Sequence, residues 1–334
     1  MRAIVAGASA IAGGAARKPP ALPADPLIVP FAPASPGENE RFAAGIAEAR
    51  RLGWRVAAPS SLVSDAYFAA PVETRRKEFL AALALPQADA LIAVRGGYGS
   101  NYLLDGLKIE SPERPHVVLG FSDVTSLQLF LWQKHRWVTF YGPMLAAGLD
   151  HGAGRPHGYD EASLLSALRG DAAEWSMNLQ GEPLVAGVAE GVLLGGCLTL
   201  LQTAIGTPWE LDAREAILLL EDRAMKPWQV DRALMHLVQA GKLEHVRGIV
   251  LGDFPECDPP VSGSPTVRQV AARILGQLGV PVVYGAPLGH TARPMLTVPL
   301  GVRARLVAEG QGKIEILERA VAQWKEGDPP NLQG

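Results

Sequence analysis

Val117-Val118-Leu119-Gly120-Phe121-Ser122-Asp123-Val124-Thr125 joins an apolar, β-branched run to a small residue, then to a polar pair that opens a helical pattern reaching Lys134. A strand, turn and helix in that order lift the Ser122 hydroxyl above the end of a buried strand. They also leave unpaired backbone N–H groups of a first helical turn beside it, the surroundings an acyl-transfer nucleophile needs. Taken alone, the Ser-Asp pair reads more simply as a helix N-cap, because both side chains accept the orphan amides of a first turn. The spacing also departs from Gly-x-Ser-x-Gly, since Val124 stands where the second glycine would be, so an ordinary α/β-hydrolase elbow is disfavoured.

Outward from this stretch the same unit repeats. Leu27-Ile28-Val29, Trp54 to Ala57 and Ala90 to Val94 read as strands; Phe42, Ile46 and Ala49 recur on one helical face, Glu73 to Leu83 forms a second helix, and another lies around Asn101 to Leu107. Alternating β and α units predict an α/β protein with an N-terminal doubly wound, mostly parallel sheet and functional residues at the carboxyl ends of its strands. Residues 151–182 change character, reading as a Gly/Pro-rich connection with one short helix around Glu161 to Leu168. Strands at Gly191 to Leu194, Ala216 to Leu220, Gly248 to Leu251, Val282-Val283 and Lys313 to Leu317, with helices at Trp228 to Ala240 and Thr266 to Leu278, predict a C-terminal α/β domain. The expected division is an extension at 1–26, a nucleophile domain at 27–150, a linker at 151–182, a second domain at 183–326 and a tail at 327–334.

Composition narrows the function classes. The 334 residues are 48% hydrophobic with a formal net charge of −3 and no lysine or arginine run, which favours a small-molecule substrate over nucleic acid or an anionic membrane. No stretch is long and apolar enough to span a bilayer. The first 26 residues are Ala/Gly-rich and read as a loose extension, with a weak export signal as the alternative. Cys197 and Cys257 lack metal-site or disulfide-framework spacing. His151 and His157 lie in the connector without a third ligand, and Arg95-Gly96-Gly97-Tyr98-Gly99 lacks the Lys-Ser/Thr ending of a phosphate loop, so neither metal nor cofactor is expected.

Two further stretches complete a constellation. Leu218-Leu219-Leu220-Glu221-Asp222 and Leu288-Gly289-His290-Thr291 offer a carboxylate and an imidazole at a strand end and a loop, giving the chain order Ser, acid, His. In a serine hydrolase His290 takes the Ser122 proton and later protonates the leaving amine, while Glu221 orients the ring. The oxyanion would face the amide of Asp123 and one from Gly96-Gly97, assigned to Gly97 with Gly96 as the alternative, because glycine lets the backbone come close to a substrate.

Arg95 to Gly99, Gly120 to Thr125, Leu220-Glu221-Asp222 with Asp231-Arg232, Gly248 to Phe254, and Gly289-His290-Thr291 with Pro299-Leu300-Gly301 together resemble the LD-carboxypeptidases, from about Pro30 to Leu317. These are serine peptidases with a Ser-Glu-His triad, and the microcin C self-immunity peptidase is a relative. The resemblance implies cleavage of terminal D-alanine from muropeptide tetrapeptides, after an L-centre such as diaminopimelate, in cytoplasmic peptidoglycan recycling by a homodimer. A basic group or anion-binding backbone is then needed for the free terminal carboxylate. Arg95, Gly96 and Tyr98 are the substrate-binding candidates, with Arg232 read instead as a structural ion-pair residue. A peptidyl-nucleotide hydrolase and a catalytically silent peptidoglycan-binding homologue are the alternatives. A periplasmic location follows if the first segment is cleaved.

Overall fold

A computed structural model of the chain describes residues 14–57, 66–109 and 115–323. In chain order its elements are β1 (Leu27–Phe31), α1 (Asn39–Arg51), β2 (Arg55–Val56), α2 (Val72–Leu83), β3 (Ala90–Ala93), α3 (Asn101–Leu104), β4 (Val117–Gly120), α4 (Thr125–His135), β5 (Thr139–Tyr141) and α5 (Glu161–Arg169). The second half continues with β6 (Trp175–Asn178), β7 (Glu182–Val185), β8 (Gly187–Cys197), α6 (Leu198–Thr203), β9 (Ala216–Glu221), α7 (Pro227–Gln239), β10 (Gly248–Gly252), α8 (Val267–Leu275), β11 (Val282–Ala286), β12 (Val298–Leu300), β13 (Arg303–Ala308) and β14 (Lys313–Ile316).

Two sheets organise these elements. The first has the order β12-β5-β4-β3-β1-β2 and is parallel except at β12; the second is mixed, in the order β6-β14-β13-β8-β9-β10-β11-β7. β3, β4, β5, β9 and β10 are buried at every position, as expected of strands covered on both faces by helices or by the other sheet. α4 is buried from Thr125 through Gln133 and shows no polar stripe, because it runs between the sheets and touches α6 and β8 on its far side. One apolar core therefore runs from Ile28 and Leu91 of the first sheet to Leu193, Ile217 and Val283 of the second.

The chain crosses back once. β12 leaves the second half to pair antiparallel with β5, Val298 opposite Tyr141 and Leu300 opposite Thr139, so the first sheet is completed by residues far downstream. β6 and β7 form the two edges of the second sheet within and just beyond the stretch read as a connection. Both are short and half exposed, which blunts their hydrophobic alternation. Part of the expected loose N-terminal extension is also packed. Arg17 pairs with Trp137, Ala21 N–H donates to the Ala322 carbonyl at 2.9 Å, and Leu22 is buried, so backbone bonding pins residues 17–22 where composition alone suggested a loose chain. Residues 1–13 and the tail at 327–334 lie outside the described residues. Among the described residues no helix is long and apolar enough to cross a membrane.

Candidate active site

The parallel arrangement puts the ends of β1, β3 and β4 along one rim. At the end of β4 the chain makes a single 3₁₀ turn, Ser122–Val124, before α4, and Ser122 has φ +62°. A left-handed backbone at a non-glycine residue costs on the order of 1 kcal/mol or more, and such strain persists where the surroundings over-determine it. Here it turns the hydroxyl away from a capping position: neither the 3₁₀ turn nor α4 has a side-chain N-cap bond, which disposes of the cap reading.

The elbow is thus present without its second glycine. Val124 packs on Gly120 instead, where an added Cβ would fall 3.0 Å from a Val124 methyl. The missing space comes from the neighbouring loop. A Cβ on Gly96 would lie 2.8 Å from Ser122 Cβ, 3.0 Å from its Oγ and 3.3 Å from the Asp123 nitrogen, so only glycine allows this backbone to lie against the nucleophile turn. Gly97 follows with φ +106°, its α-carbon against the Ser35 hydroxymethyl.

Asp123 also ties the turn to the neighbouring loop. Its buried carboxylate accepts the Ser100 N–H at 2.7 Å, while the Ser100 hydroxyl donates to the Asp123 carbonyl. Burial pushes this carboxyl above its ordinary value against the pull of the Ser100 and Gly99 bonds. The nucleophile turn and the glycine loop are in this way stitched together. Arg75 braces the same loop from below: fully buried, it donates to the carbonyls of Pro33, Ala70 and Gly99.

The acid and imidazole come from the second sheet. Glu221 is the last residue of β9, and His290 lies in the loop after β11. The Glu221 Oε2 accepts both the His290 backbone N–H at 2.9 Å and its Nδ1–H at 2.8 Å. Gly289, at φ +54°, permits this, because a Cβ there would run into the Glu221 carboxyl group. With Nδ1 donating, Nε2 carries the lone pair. Phe121 meets the imidazole edge-on at 5.1 Å between centroids, which sets the ring against the nucleophile turn. Among the described residues no direct hydrogen bond joins the Ser122 hydroxyl to the imidazole. Contacts of this kind commonly close only when substrate arrives.

Tyr141, at the end of β5, links the two halves and was not singled out from sequence. Its hydroxyl donates to Glu221 Oε1 at 2.5 Å and accepts the Ser122 backbone N–H at 3.3 Å. The strand carrying it is three residues long and followed by Gly142-Pro143, too short for periodicity to mark. Burial tends to raise the Glu221 pKa, but the His290 charge and the bonds from His290 and Tyr141 hold it below the usual carboxylate value. Burial likewise tends to lower the His290 pKa, yet the facing Glu221 carries it above 6.5. Beyond His290, Asp253 accepts the Thr291 hydroxyl and the Arg293 guanidinium, which also reaches the Gly285 carbonyl and so clamps the loop. Asp222 serves structure: it accepts the Thr199 N–H at 2.9 Å and hydroxyl at 2.7 Å, anchoring α6.

The substrate-side candidates are placed unequally. Gly96 abuts Ser122, and Tyr98 is 44% exposed just beyond it. Arg95 extends from the same loop with a long 3.4 Å bond to the Pro36 carbonyl. Arg232 stacks on Trp228 at 5.1 Å and, among the described residues, joins no ion pair. His151 and His157 stack with 5.7 Å between centroids, and His151 Nε2 lies 3.1 Å from an Arg41 nitrogen, an unsuitable neighbour for a cation.

Comparison with known proteins agrees in extent as well as in fold. A Bacillus subtilis protein described as a probable murein peptide carboxypeptidase is 30% identical over 311 residues, covering 92% of this chain and 96% of its own. The crystal structure of a muramoyltetrapeptide carboxypeptidase from Oxalobacter formigenes superposes with a TM-score of 0.77 at 27% identity, covering 87% of this chain and 98% of that one. The microcin C7 self-immunity protein MccF superposes at 0.82 with 23% identity, covering 91% and 99%, a likeness of fold. Residues 28–142 match the LD-carboxypeptidase N-terminal domain and residues 190–306 the LD-carboxypeptidase C-terminal domain, and with both halves matched in order the chain belongs to the LD-carboxypeptidase family of peptidases.

Proposed function

We propose that the chain is a serine LD-carboxypeptidase in which Ser122 attacks, His290 moves the proton and Glu221 holds the imidazole. The observation that carries this reading is the buried Glu221–His290 pair, 2.8 Å apart, whose imidazole packs on Phe121, the neighbour of a serine strained to φ +62°. As Ser122 Oγ bonds to the carbonyl carbon, its proton passes to His290 Nε2. The developing oxyanion faces the amides of Asp123 and Gly97. Collapse breaks the C–N bond as Nε2 returns the proton to the departing amine, leaving an acyl-enzyme that water resolves by the same proton path in reverse. No other group need change charge, because Glu221 stays ionised throughout.

The substrate follows from the relatives: a tetrapeptide of murein whose terminal D-alanine is released from an L-centre such as that of diaminopimelate. Arg95, with Gly96 and Tyr98, lies on the loop after β3 and offers its cation to a carboxylate of the acyl part of the substrate, such as that of diaminopimelate, rather than to the terminal one. The reading includes action in the cytoplasm as a homodimer, which sedimentation and cell fractionation test. Mass spectrometry of muropeptides incubated with the protein tests the reaction itself. Loss of one alanine from tetrapeptides, with pentapeptides intact, is the expected result. Cleavage of aspartyl sulfamoyl adenosine with tetrapeptides untouched would move the assignment to a peptidyl-nucleotide hydrolase, and turnover of neither would leave a silent homologue.

Two consequences arise directly. Protonated His290 cannot accept the Ser122 proton, so kcat/KM should fall as pH drops through the imidazole pKa. Because Glu221 carries that pKa above 6.5, the acid limb should lie above 6.5. A profile flat down to pH 6 would remove His290 as the base. Tyr141→Phe should lower kcat/KM by about 10- to 100-fold, since it deletes a buried donor to Glu221 and the acceptor of the Ser122 N–H, a loss of roughly 1–3 kcal/mol. A lowered Tm with unchanged kcat/KM would make Tyr141 purely structural.

A further inference from the structure

Three of the seven exposed large apolar side chains among the described residues, Tyr67, Tyr98 and Tyr102, meet in one place, gathered around Phe68. Ring centroids lie 4.4 Å apart for Tyr67–Phe68, 5.6 Å for Tyr67–Tyr98, 5.6 Å for Phe68–Tyr102 and 5.9 Å for Tyr98–Tyr102. The base of the cluster is fixed. Buried Arg75 stacks on Phe68 at 4.7 Å, and the Gly99 backbone packs so closely that a Cβ would lie 2.6 Å from the Phe68 ring. The Tyr98 and Tyr102 hydroxyls meet at 3.4 Å on the rim.

Sheet order says which part of a substrate would reach this surface. Glu221 and His290 join the nucleophile turn from the β5 side, through Tyr141, whereas Tyr98 and Tyr102 follow β3, and Phe68 precedes α2 beyond β1 and β2. An imidazole that protonates the leaving amine must face the departing residue, so the acyl part of the substrate extends the opposite way, over the aromatic cluster. Reach agrees with this. Gly96 touches Ser122, Tyr98 is two residues on, and the other rings adjoin it, which places the platform roughly 10 Å from the nucleophile, the span of about three extended residues.

Resting on the carboxypeptidase reading above, we propose that Tyr67, Phe68, Tyr98 and Tyr102 form a platform for the amino-sugar at the far end of the stem peptide. Aromatic faces pair with the C–H face of a pyranose, and the rim hydroxyls suit its hydroxyl and acetamido groups. A nucleobase is a poorer occupant. A base can stack on one aromatic face, but enclosing it on both sides takes two parallel faces roughly 7 Å apart, twice the ~3.4 Å stacking rise. Phe68 and Tyr98, the near-parallel pair here, are 6.0 Å apart, and the remaining contacts are tilted or edge-on, so among the described residues the cluster is one-sided.

The experiment compares kcat/KM for a free tetrapeptide and for the same tetrapeptide linked to N-acetylmuramic acid, in the intact protein and in a Tyr67→Ala/Tyr102→Ala double variant. The sugar should improve kcat/KM by about three- to tenfold in the wild type, the size of one or two good aromatic contacts, and the ratio should collapse to within about twofold in the variant. Equal rates on both substrates in the wild type, a ratio that survives in the variant, or equal loss on both substrates would each overturn the platform. If neither peptide is cleaved, it is the carboxypeptidase reading that fails. The platform is then judged by saturation-transfer NMR with methyl N-acetylmuramoside: transfer lost in the double variant supports it, and no transfer, or displacement by adenosine monophosphate at lower concentration than by free sugar, overturns it.

Discussion

Ser122→Ala is expected to lower kcat on a tetrapeptide by about 10⁴- to 10⁶-fold while leaving the protein folded and able to bind substrate, since removing the nucleophile of a triad leaves only oxyanion stabilisation and binding. The fold should tolerate the change because the Ser122 hydroxyl caps neither the 3₁₀ turn nor α4. What holds the turn is backbone and neighbouring side chains: the Ser122 N–H on Tyr141, Asp123 on Ser100, and the Gly96 backbone against Cβ. Alanine keeps the positive φ and its cost, whereas Ser122→Gly relieves it. The glycine variant should therefore melt a few degrees above the alanine variant while being equally inactive. Calorimetry and a tetrapeptide assay on the three proteins decide this. Turnover within tenfold of wild type in Ser122→Ala would end the nucleophile assignment. Losses at Ser122 and His290 should not add, because neither group works without the other.

The parts of this structure that sequence exposes are those encoded locally. β3 and β4 are unbroken apolar runs, and α2, α4, α5, α7 and α8 fall where helical patterns were read, because both signals concern residues adjacent in the chain. What stays hidden depends on distant partners. Val298-Pro299-Leu300 carries a proline and spans three residues, and nothing within it says that it will close the first sheet beside β5. The elbow glycine is hidden in the same way, since Gly96 supplies from the β3 loop the space that Gly-x-Ser-x-Gly places within the motif. Arg75 shows that burial of a charge is invisible until three loop carbonyls converge on it. The motifs mark candidate residues, while the partners that hold them lie far off in the chain: Tyr141 bonds Glu221 across the two halves, and Ser100–Asp123 and Asp253–Thr291 bridge separate loops within each half.

Glu221→Gln should lower kcat by about 10³- to 10⁴-fold, with little change in KM, although the two side chains are nearly the same size. Three donors converge on the native carboxylate: the His290 N–H and Nδ1–H on Oε2, and the Tyr141 hydroxyl on Oε1. Only a group that accepts at both oxygens satisfies them all. If the glutamine turns its NH₂ toward His290, it meets the backbone N–H and forces Nδ1 to accept. The ring proton then moves to Nε2, and the imidazole faces Ser122 as a donor that cannot take a proton. If the NH₂ turns toward Tyr141, the phenol must accept from it as well as from the Ser122 N–H, and its own proton is left without a carboxylate in a fully buried site. Either way the variant also loses the negative charge that lifts the imidazole, so the residual activity should show its acid limb at lower pH than the wild type. Because His290 and Tyr141 hold the Glu221 carboxyl below its ordinary value despite burial, the variant should lose stability as well, by less than the loss in rate. A residual kcat within tenfold of wild type, or an acid limb that does not move, would mean that Glu221 is a structural carboxylate and that another group orients His290.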